Sequence, residues 1–556
     1  MLGRCRMTKH SNLVWVVALV LGWAFDFLFW GKPLGINFAI FFTACLLGGG
    51  MLLFVNGAKP SIKSLAFLLL FAFFGVISTM RQEPISLGFG IAGVLLSLGL
   101  LTVTYQGGSW VRYRLRDYFK NFFRLIGNLV ILPLGFVRQT RPDTSWARRI
   151  PLKPVSRGVL IAIPLLIFFT LLLASGDLVF EHRTMDFFNQ IDLGHIPEYI
   201  LRLFIILIMA YLLTAAFLYA GLKSDDRQLL SEGEPIIKRW LGFIEAAIVL
   251  GSVSLLFLIF VIIQFRYFFG GEVNIGVEGY TYSEYARSGF TQLIIVACCS
   301  LLMILGLGML TRRDTIRQKW AYSGLSVWLA LLVMVILVSA YQRLMLAIDW
   351  HGFSRLRVFP RVFLVWVGIL FAAVIVLEIL RRERHFALAA MLSCFGFAIT
   401  ICGMNVDGAI VQHNVYRTIE GKHFNVNYLT TLSTDAVPVL EAAYNDPSLP
   451  QVTHEGVGAA LMCYLQSDWY NDYRSIDWRG FNFSRWAAVN ALNRVGPHLQ
   501  EYKVIKNMLG YGWDNYAVET PSHGVSYVCD QVFFKERPPI PTTGESSPTR
   551  GTQLKP

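Results

Sequence analysis

Tyr280-Thr-Tyr-Ser-Glu-Tyr-Ala-Arg-Ser-Gly-Phe-Thr-Gln-Leu293 runs directly into an apolar stretch from Ile294 to Leu310. Thr281 followed by Glu284 is a capping-box pattern, in which the hydroxyl accepts from one exposed helix N–H and the carboxylate reaches back to another. The pattern predicts a helix beginning here. Glu284 and Arg287 lie one turn apart on it and are placed to pair, while Phe290 and Leu293 carry the apolar face onward. The run that follows is close to the ~20 residues needed to cross hydrocarbon. This polar, aromatic cap therefore marks where a membrane span meets water, and Tyr282, Glu284, Tyr285, Arg287 and Gly289 form the densest candidate motif, functional or structural.

The rest of the chain has the same character. Of 556 residues, 55% are hydrophobic and 15% charged, whereas soluble domains carry about a quarter charged residues. The composition predicts an all-α, polytopic helical membrane protein. Its net charge of +13 points to Lys- and Arg-rich cytoplasmic loops rather than to nucleic acid, which is not an expected partner. The expected surroundings are the lipid bilayer.

About eleven spans are expected at ~20 residues each. Four lie close together, at Leu13 to Trp30, Ile36 to Val55, Ser64 to Met80 and Ile85 to Tyr105, forming an N-terminal group over residues 1–105. A basic segment follows over 106–154, containing Arg112, Arg114, Arg116, Lys120, Arg124, Arg138, Arg141, Arg148, Arg149 and Lys153. Within it Tyr118, Phe122, Phe123, Ile126 and Leu129 recur at helical spacing opposite Arg116, Lys120 and Arg124. That pattern fits an amphipathic helix along the inner leaflet that attracts anionic lipid, or a solvated linker. Seven more spans are expected within 155–403, near Val159 to Phe180, Tyr199 to Leu222, Trp240 to Phe268, Glu284 to Leu310, Gly324 to Leu344, Val362 to Leu380 and Phe386 to Gly403.

With the N-terminus cytoplasmic, the loops around Lys59 and Lys63, over 106–153, from Lys223 to Arg239, from Arg312 to Lys319 and from Arg381 to Arg384 fall inside, and all are basic. The odd span count puts the C-terminus on the exoplasmic side. One loop disobeys: Met345 to Arg361 is expected outside yet holds Arg355, Arg357 and Arg361, with Arg343 just before it. Three readings fit, namely a salt-bridge network with Glu272, Glu278, Glu284 and Asp349, a site for an anion or lipid headgroup, or a miscounted span.

Residues 404–535 are polar and read as a small helical exoplasmic domain. Candidate helices are Tyr428 to Asn445, with Ser433 and Asp435 as start signals and Pro438 in the first turn, then Gly456 to Leu465 and Ser484 to Arg494. Residues 536–556, rich in Pro, Thr, Ser and Gly, read as a disordered tail. Of the eight cysteines, only Cys463 and Cys529 lie in this polar region. If the region is exoplasmic it is oxidising, and a Cys463 to Cys529 disulfide is a candidate, the alternative being two separate thiols.

The second half of the chain also resembles a known family, the uncharacterised bacterial membrane proteins described as domain of unknown function 4173. The resemblance rests on Tyr282, Glu284, Tyr285, Ala286, Arg287, Gly289, Phe290 and Leu293, on Tyr341 through Arg357, and on Asn414-Val-Tyr-Arg417, Asn427-Tyr-Leu429, Leu432-Ser433 and Asp435-Ala-Val-Pro438. It implies a multi-pass protein of the bacterial cytoplasmic (inner) membrane and brings no reaction, ligand or cofactor with it.

No H-E-x-x-H, Walker A or G-x-S-x-G pattern is present, no dinucleotide fingerprint follows a strand, and the histidines and cysteines have no metal-ligand spacing. Neither metal nor cofactor is expected, and no enzyme signature is seen. Ionisable residues within spans are costly unless paired or lining a polar cavity; the candidates are Asp26, Glu245, Arg343 and Glu378, with Asp177 and Gln264 weaker. Two functions follow. One is a non-catalytic envelope protein for binding, assembly or sensing, with an envelope protein as partner. The other is a transporter or lipid-handling protein in which Arg343, Arg355 and Arg357, with Glu284 and Arg287, enclose an anionic substrate. A membrane transferase using Asp26 or Glu284 is a third reading without a motif.

Overall fold

The computed structural model describes residues 11–139, 196–225, 240–269, 290–422, 425–473, 477–507, 515–522 and 525–529, with single positions at 162, 165, 169 and 173. They form two compact units, Met1–Met404 with Asp477–Phe483, and Asn405–Ile476 with Ser484–Pro556.

The first unit is built from α1 (Ser11–Phe29), α2 (Ile36–Val55), α3 (Ala66–Met80), α4 (Pro84–Thr104), α5 (Leu115–Gln139), α6 (Ile196–Leu222), α7 (Phe243–Phe269), α8 (Phe290–Leu310), α9 (Ile316–His351), α10 (Arg355–Ile379) and α11 (Phe386–Gly403). Among the described residues ten of these are long and apolar enough to cross a membrane, and α3 is a shorter apolar helix. Side chains such as Met51, Phe54, Leu69, Ile248 and Leu302 lie on the surface, mostly uncovered. Helices that are apolar all round are stable in hydrocarbon, not in water. The protein is an integral, multi-pass helical membrane protein.

Local chemistry sets the helix ends. Pro84 occupies the first turn of α4, and Glu83 caps it by accepting from the N–H groups of Ile85 and Ser86 at 3.1 and 2.6 Å. Thr315 and Gln318 form a reciprocal capping box at the start of α9, satisfying two orphan donors. That helix runs on for 36 residues, past the expected end at Leu344. It stops where Gly352 adopts a φ of 77°, a left-handed conformation that favours glycine. The expected loop from Met345 to Arg361 is thus two helix ends joined by residues 352–354, because Gly352 allows a turn that tight.

Two apolar cores hold the unit together. One gathers α7, α8, α9 and α10 around Leu250, Ala297, Val333 and Phe371. The other gathers α1 to α6 around Val14, Phe41, Leu52, Phe67 and Leu218. A smaller cluster seats α11 on α2, α3 and α4 through Phe74, Val94 and Cys402. The span expected at Val159 to Phe180 lies almost entirely outside the described residues, as do residues 536–556.

Interhelical hydrogen bonds sort the helix ends into two faces. On one, Trp30 meets Glu198, Arg202 meets Asp26, and Arg81 meets the carbonyls of Cys402 and Gly403; we call this the paired face. On the other, Ser61 meets Tyr105, Gln106 meets Ala220 and Gly221, and Arg312 meets Leu241. This second face carries Lys59, Lys63, Arg112, Lys223, Arg312, Arg317, Arg381 and Arg382, and we call it the basic face.

The second unit holds α12 (Val406–Tyr416), α13 (Val426–Thr430), α14 (Val437–Tyr444), α15 (Gln451–Leu465), α16 (Asp468–Tyr473) and α17 (Phe483–Val495), with β1 (Lys503–Asn507), β2 (Asn515–Glu519) and β3 (Ser526–Cys529). Phe483, the first residue of α17, belongs to the first unit. The expected helix from Tyr428 is broken into α13 and α14, with Ser433 capping the intervening turn and Pro438 in the first turn of α14. The strands make an antiparallel sheet in the order β1-β2-β3, with Val504 opposite Val518 and Val518 opposite Tyr527. This sheet was not anticipated: its strands are four or five residues long, too short for alternation to stand out.

Candidate functional site

The most elaborate polar chemistry of the first unit lies on the paired face. Asp26, in the last turns of α1, is 4% exposed. Arg202 of α6 grips it, donating from Nη2 at 2.6 Å and from Nε to both carboxylate oxygens at 3.1 Å. Glu198, one turn earlier on α6, lies 3.9 Å from Arg202 and accepts from Trp30 Nε1 at 2.8 Å. The guanidinium also sits over the Trp30 ring, 5.4 Å from its centroid. A buried carboxylate is tolerated when paired and hydrogen-bonded in this way. Neither Glu198 nor Arg202 was singled out in sequence, although Arg202 follows Glu198 at helical spacing inside an apolar run.

Glu83 is the second centre. It is 2% exposed, its oxygens are taken up by the α4 cap, and Arg355 Nε lies 3.9 Å away. Arg81 donates to the carbonyls of Cys402 and Gly403 at the end of α11, at 3.4 and 3.3 Å. Arg357 donates to the carbonyls of Gly352 and His351 at the end of α9, at 3.0 and 3.5 Å. Arg361 Nε donates to Tyr341 Oη at 3.3 Å. Glu83 thus sits at a helix N-terminus, and the Arg81 and Arg357 guanidiniums at helix C-termini, positions that complement the helix dipole.

Asp477–Phe483 completes this face. Ile36 N–H donates to Phe481 carbonyl at 2.8 Å, and Gly35 lies so close to that carbonyl that any Cβ there would collide with it. Arg479 donates to Asp477 and, at 2.6 Å, to the carbonyl of Phe27, while Lys32 approaches Asp477 at 3.3 Å. The hydrogen bond from Arg479 holds the Asp477 carboxyl well below the usual carboxylate range. Asn482 is fully buried and donates to Arg81 carbonyl at 3.5 Å.

The other sequence candidates are placed as follows. Tyr282, Glu284, Tyr285, Arg287 and Gly289 lie outside the described residues, as do Glu272 and Glu278. Arg343 is buried in α9, one turn beyond Ser339, whose hydroxyl donates to Gln264 of α7 at 2.8 Å. It is therefore in the α7–α10 core, whereas Arg355 is drawn to Glu83 and Arg357 to the end of α9. Glu245 accepts from Gly242 N–H at 2.9 Å, an N-terminal cap of α7 at the basic face. The carbonyl of Glu378 accepts from Ser323, and Arg381, one turn further on, stacks over Trp320 at 3.9 Å. Among the described residues no group of three or more His, Cys, Asp or Glu is placed to hold a metal ion.

In the second unit, Cys463 of α15 and Cys529 of β3 are joined by a disulfide with Cα atoms 5.4 Å apart. Several motif residues of this unit, Ser433 and Asp435 among them, join a buried polar core. Asp407 accepts from Ser433 N–H at 2.7 Å, Asn405 caps α12 and donates to Asp435 carbonyl at 2.9 Å, and Thr434 and Ser484 share a hydrogen bond of 2.7 Å. Asp407, Asn414 and Arg417 lie on one buried stripe of α12 and the turn after it. Elsewhere, Tyr444 stacks on His454 at 4.3 Å, and Glu455 accepts from Gln451 at 3.3 Å and pairs with Ser522. Burial pushes the Tyr502 phenol beside them well up. These networks pin loops to helices.

A family model described as Domain of unknown function (DUF4153) matches residues 41–443. The chain belongs to this family. The DUF4153 match covers most of α2 and all of α3 to α11 and runs into α14, so Glu83, Arg202, Arg355 and Asp407 lie within it, whereas Asp26, Trp30, Lys32, Asp477–Phe483 and Ser484 lie outside. Every motif behind the resemblance to family 4173 also lies inside 41–443. The class, a family of unknown function, was therefore right, but the number that matches is 4153. No curated protein and no solved structure matches the chain.

Proposed function

We propose that this DUF4153-family protein is a non-catalytic binding, assembly or sensing protein of the bacterial cell envelope, anchored in the cytoplasmic membrane. The basic face is cytoplasmic, as is the N-terminus, and the C-terminal unit is exoplasmic. The observation that carries the reading is the Cys463–Cys529 bond across 66 residues of the second unit, since structural disulfides persist in oxidising compartments. The Lys and Arg of the basic face support the same orientation by the positive-inside rule.

The alternative, a transporter or lipid-handling protein for an anionic substrate, draws less support. Two of the arginines it would use already have structural partners, Arg355 at Glu83 and Arg357 at the last carbonyls of α9. Photo-crosslinking from the exposed positions Ile419 and Val452 in living cells tests the proposal. A discrete protein adduct is the expected result. Adduct-free protein from both positions, together with a small anion retained through purification in native mass spectrometry, would overturn it in favour of the alternative.

A further inference from the structure

Helix α5 has the length and hydropathy of a span, yet its contacts place both its ends at the basic face. Near its start, Tyr118 Oη donates to Trp110 carbonyl at 3.0 Å and lies 3.6 Å from Met391 Sδ, near the basic-face end of α11. Near its finish, Phe136 is buried against Trp15 in the first turns of α1, ring centroids 6.3 Å apart. Between them, Asn128 accepts from Lys223, just past the basic-face end of α6, at 2.6 Å. Tyr118 and Phe136 are roughly 27 Å apart along the helix at 1.5 Å per residue. A crossing helix would separate them by about that depth. Helix α5 instead stays near the basic face, dipping toward the bundle where its Val130 carbonyl accepts from Tyr211, about three turns inside α6.

Its side chains divide into three sectors about 120° apart, each residue advancing the helix by about 100°. Tyr118, Asn121, Leu132 and Phe136 face the other helices. Phe119, Phe123, Ile126 and Val130 are exposed. Lys120 and Arg124, exposed one turn apart, lie in the third sector, which exposed Ile131 shares two turns further on. One apolar face drawn from sequence alone therefore becomes two, one for protein and one for something else. Over residues 110–125 the chain carries Arg112, Arg114, Arg116, Lys120 and Arg124 against the single acid Asp117.

We propose that α5 is an interfacial helix that binds anionic phospholipid. Phe119, Phe123, Ile126 and Val130 enter the acyl boundary, and Lys120 and Arg124 hold headgroup phosphates. Apolar burial alone accepts any lipid; the excess positive charge selects anionic ones. This inference is independent of what the second unit binds.

The test is native mass spectrometry of the full-length, detergent-purified protein titrated with phosphatidylglycerol and with phosphatidylcholine. The wild type should retain phosphatidylglycerol preferentially. The double variant Lys120→Gln, Arg124→Gln should lose up to about thirtyfold in phosphatidylglycerol affinity, at about 1 kcal/mol per basic side chain near an anionic surface, with phosphatidylcholine unchanged. The exchange Lys120→Arg, Arg124→Lys should behave as wild type, and so should Arg317→Gln, a charge loss elsewhere on the same face. A double Gln variant that elutes as wild type and keeps the full preference overturns the proposal, as does an equal loss in Arg317→Gln.

Discussion

The two faces of the membrane unit handle positive charge differently. On the paired face, Arg202 meets Asp26, Arg355 meets Glu83, and Lys32 and Arg479 meet Asp477. On the basic face Arg381 stacks on Trp320, and Arg313 stacks on Tyr322 and donates to the Gly308 carbonyl. An arginine beside a carboxylate is neutralised where it packs, whereas one stacked on an aromatic ring keeps its full positive charge at the face. The difference teaches that arginine content alone does not describe a face; what each guanidinium meets does.

The sharpest way to break this comparison is to cut the Asp26–Arg202 pair. Arg202→Ala leaves a buried carboxylate without its partner, and destabilisation of about 3 kcal/mol is expected, the low end of the buried-pair range because Arg202 is partly exposed. The double variant Asp26→Asn, Arg202→Gln should recover part of the loss in a detergent unfolding curve. Strictly additive losses would mean that the two groups act separately.

Next comes the disulfide. Cys463→Ser should cost the second unit roughly 2–4 kcal/mol, seen as earlier loss of protease resistance after Asn405. The thiol of Cys529 should then label with alkylating reagent only in unfolded protein, since both cysteines are buried. Labelling of both cysteines in unreduced, unfolded wild type would remove the bond, and with it the best reason for placing this unit in an oxidising compartment.

A smaller effect separates Glu83 from Arg355. Glu83→Ala removes the cap of α4 as well as the ion pair and should cost about 2 kcal/mol. Arg355→Ala leaves the cap in place and should cost about 1 kcal/mol. Equal losses would assign Glu83 to the ion pair alone.

On the basic face Arg381→Ala should cost only about 0.5–1 kcal/mol, the worth of an exposed cation–π contact, and Arg381→Lys should retain most of it. A loss as large as that of Arg202→Ala would erase the contrast between the faces.

The smallest expected effect concerns pH. Arg479 depresses the Asp477 carboxyl, so its folded value lies below the unfolded one, about 3.9. Such a group contributes stability that is fully present above its unfolded pKa and is lost as pH falls through the folded value. Attachment of Asp477–Phe483, followed by hydrogen exchange of the Ile36 amide, should be flat from pH 8 to about pH 4 and weaken only below that. Weakening near pH 6 would show that another group controls it.

Much of the architecture was legible in the residues, because crossing hydrocarbon imposes a length and an apolarity that no tertiary contact can waive. The runs read as α2, α4, α6 and α11 begin and end within a few residues of the helices observed. Asp26 also stood out, since an acid within an apolar run is conspicuous. Its partner did not: Arg202 is 176 residues away, and nothing local to either residue names the other. Glu83 was overlooked because in sequence it is an ordinary loop acid between two spans; only the return of Arg355 and the α4 cap give it a role. Helix α5 shows the same limit, for its periodicity announced an amphipathic helix, but deciding which apolar side chains face protein and which stay exposed needed Trp15, Met391 and Lys223. Hydropathy is a property of a segment and can be read from it, whereas pairing belongs to two distant segments and exists only once the helices have packed.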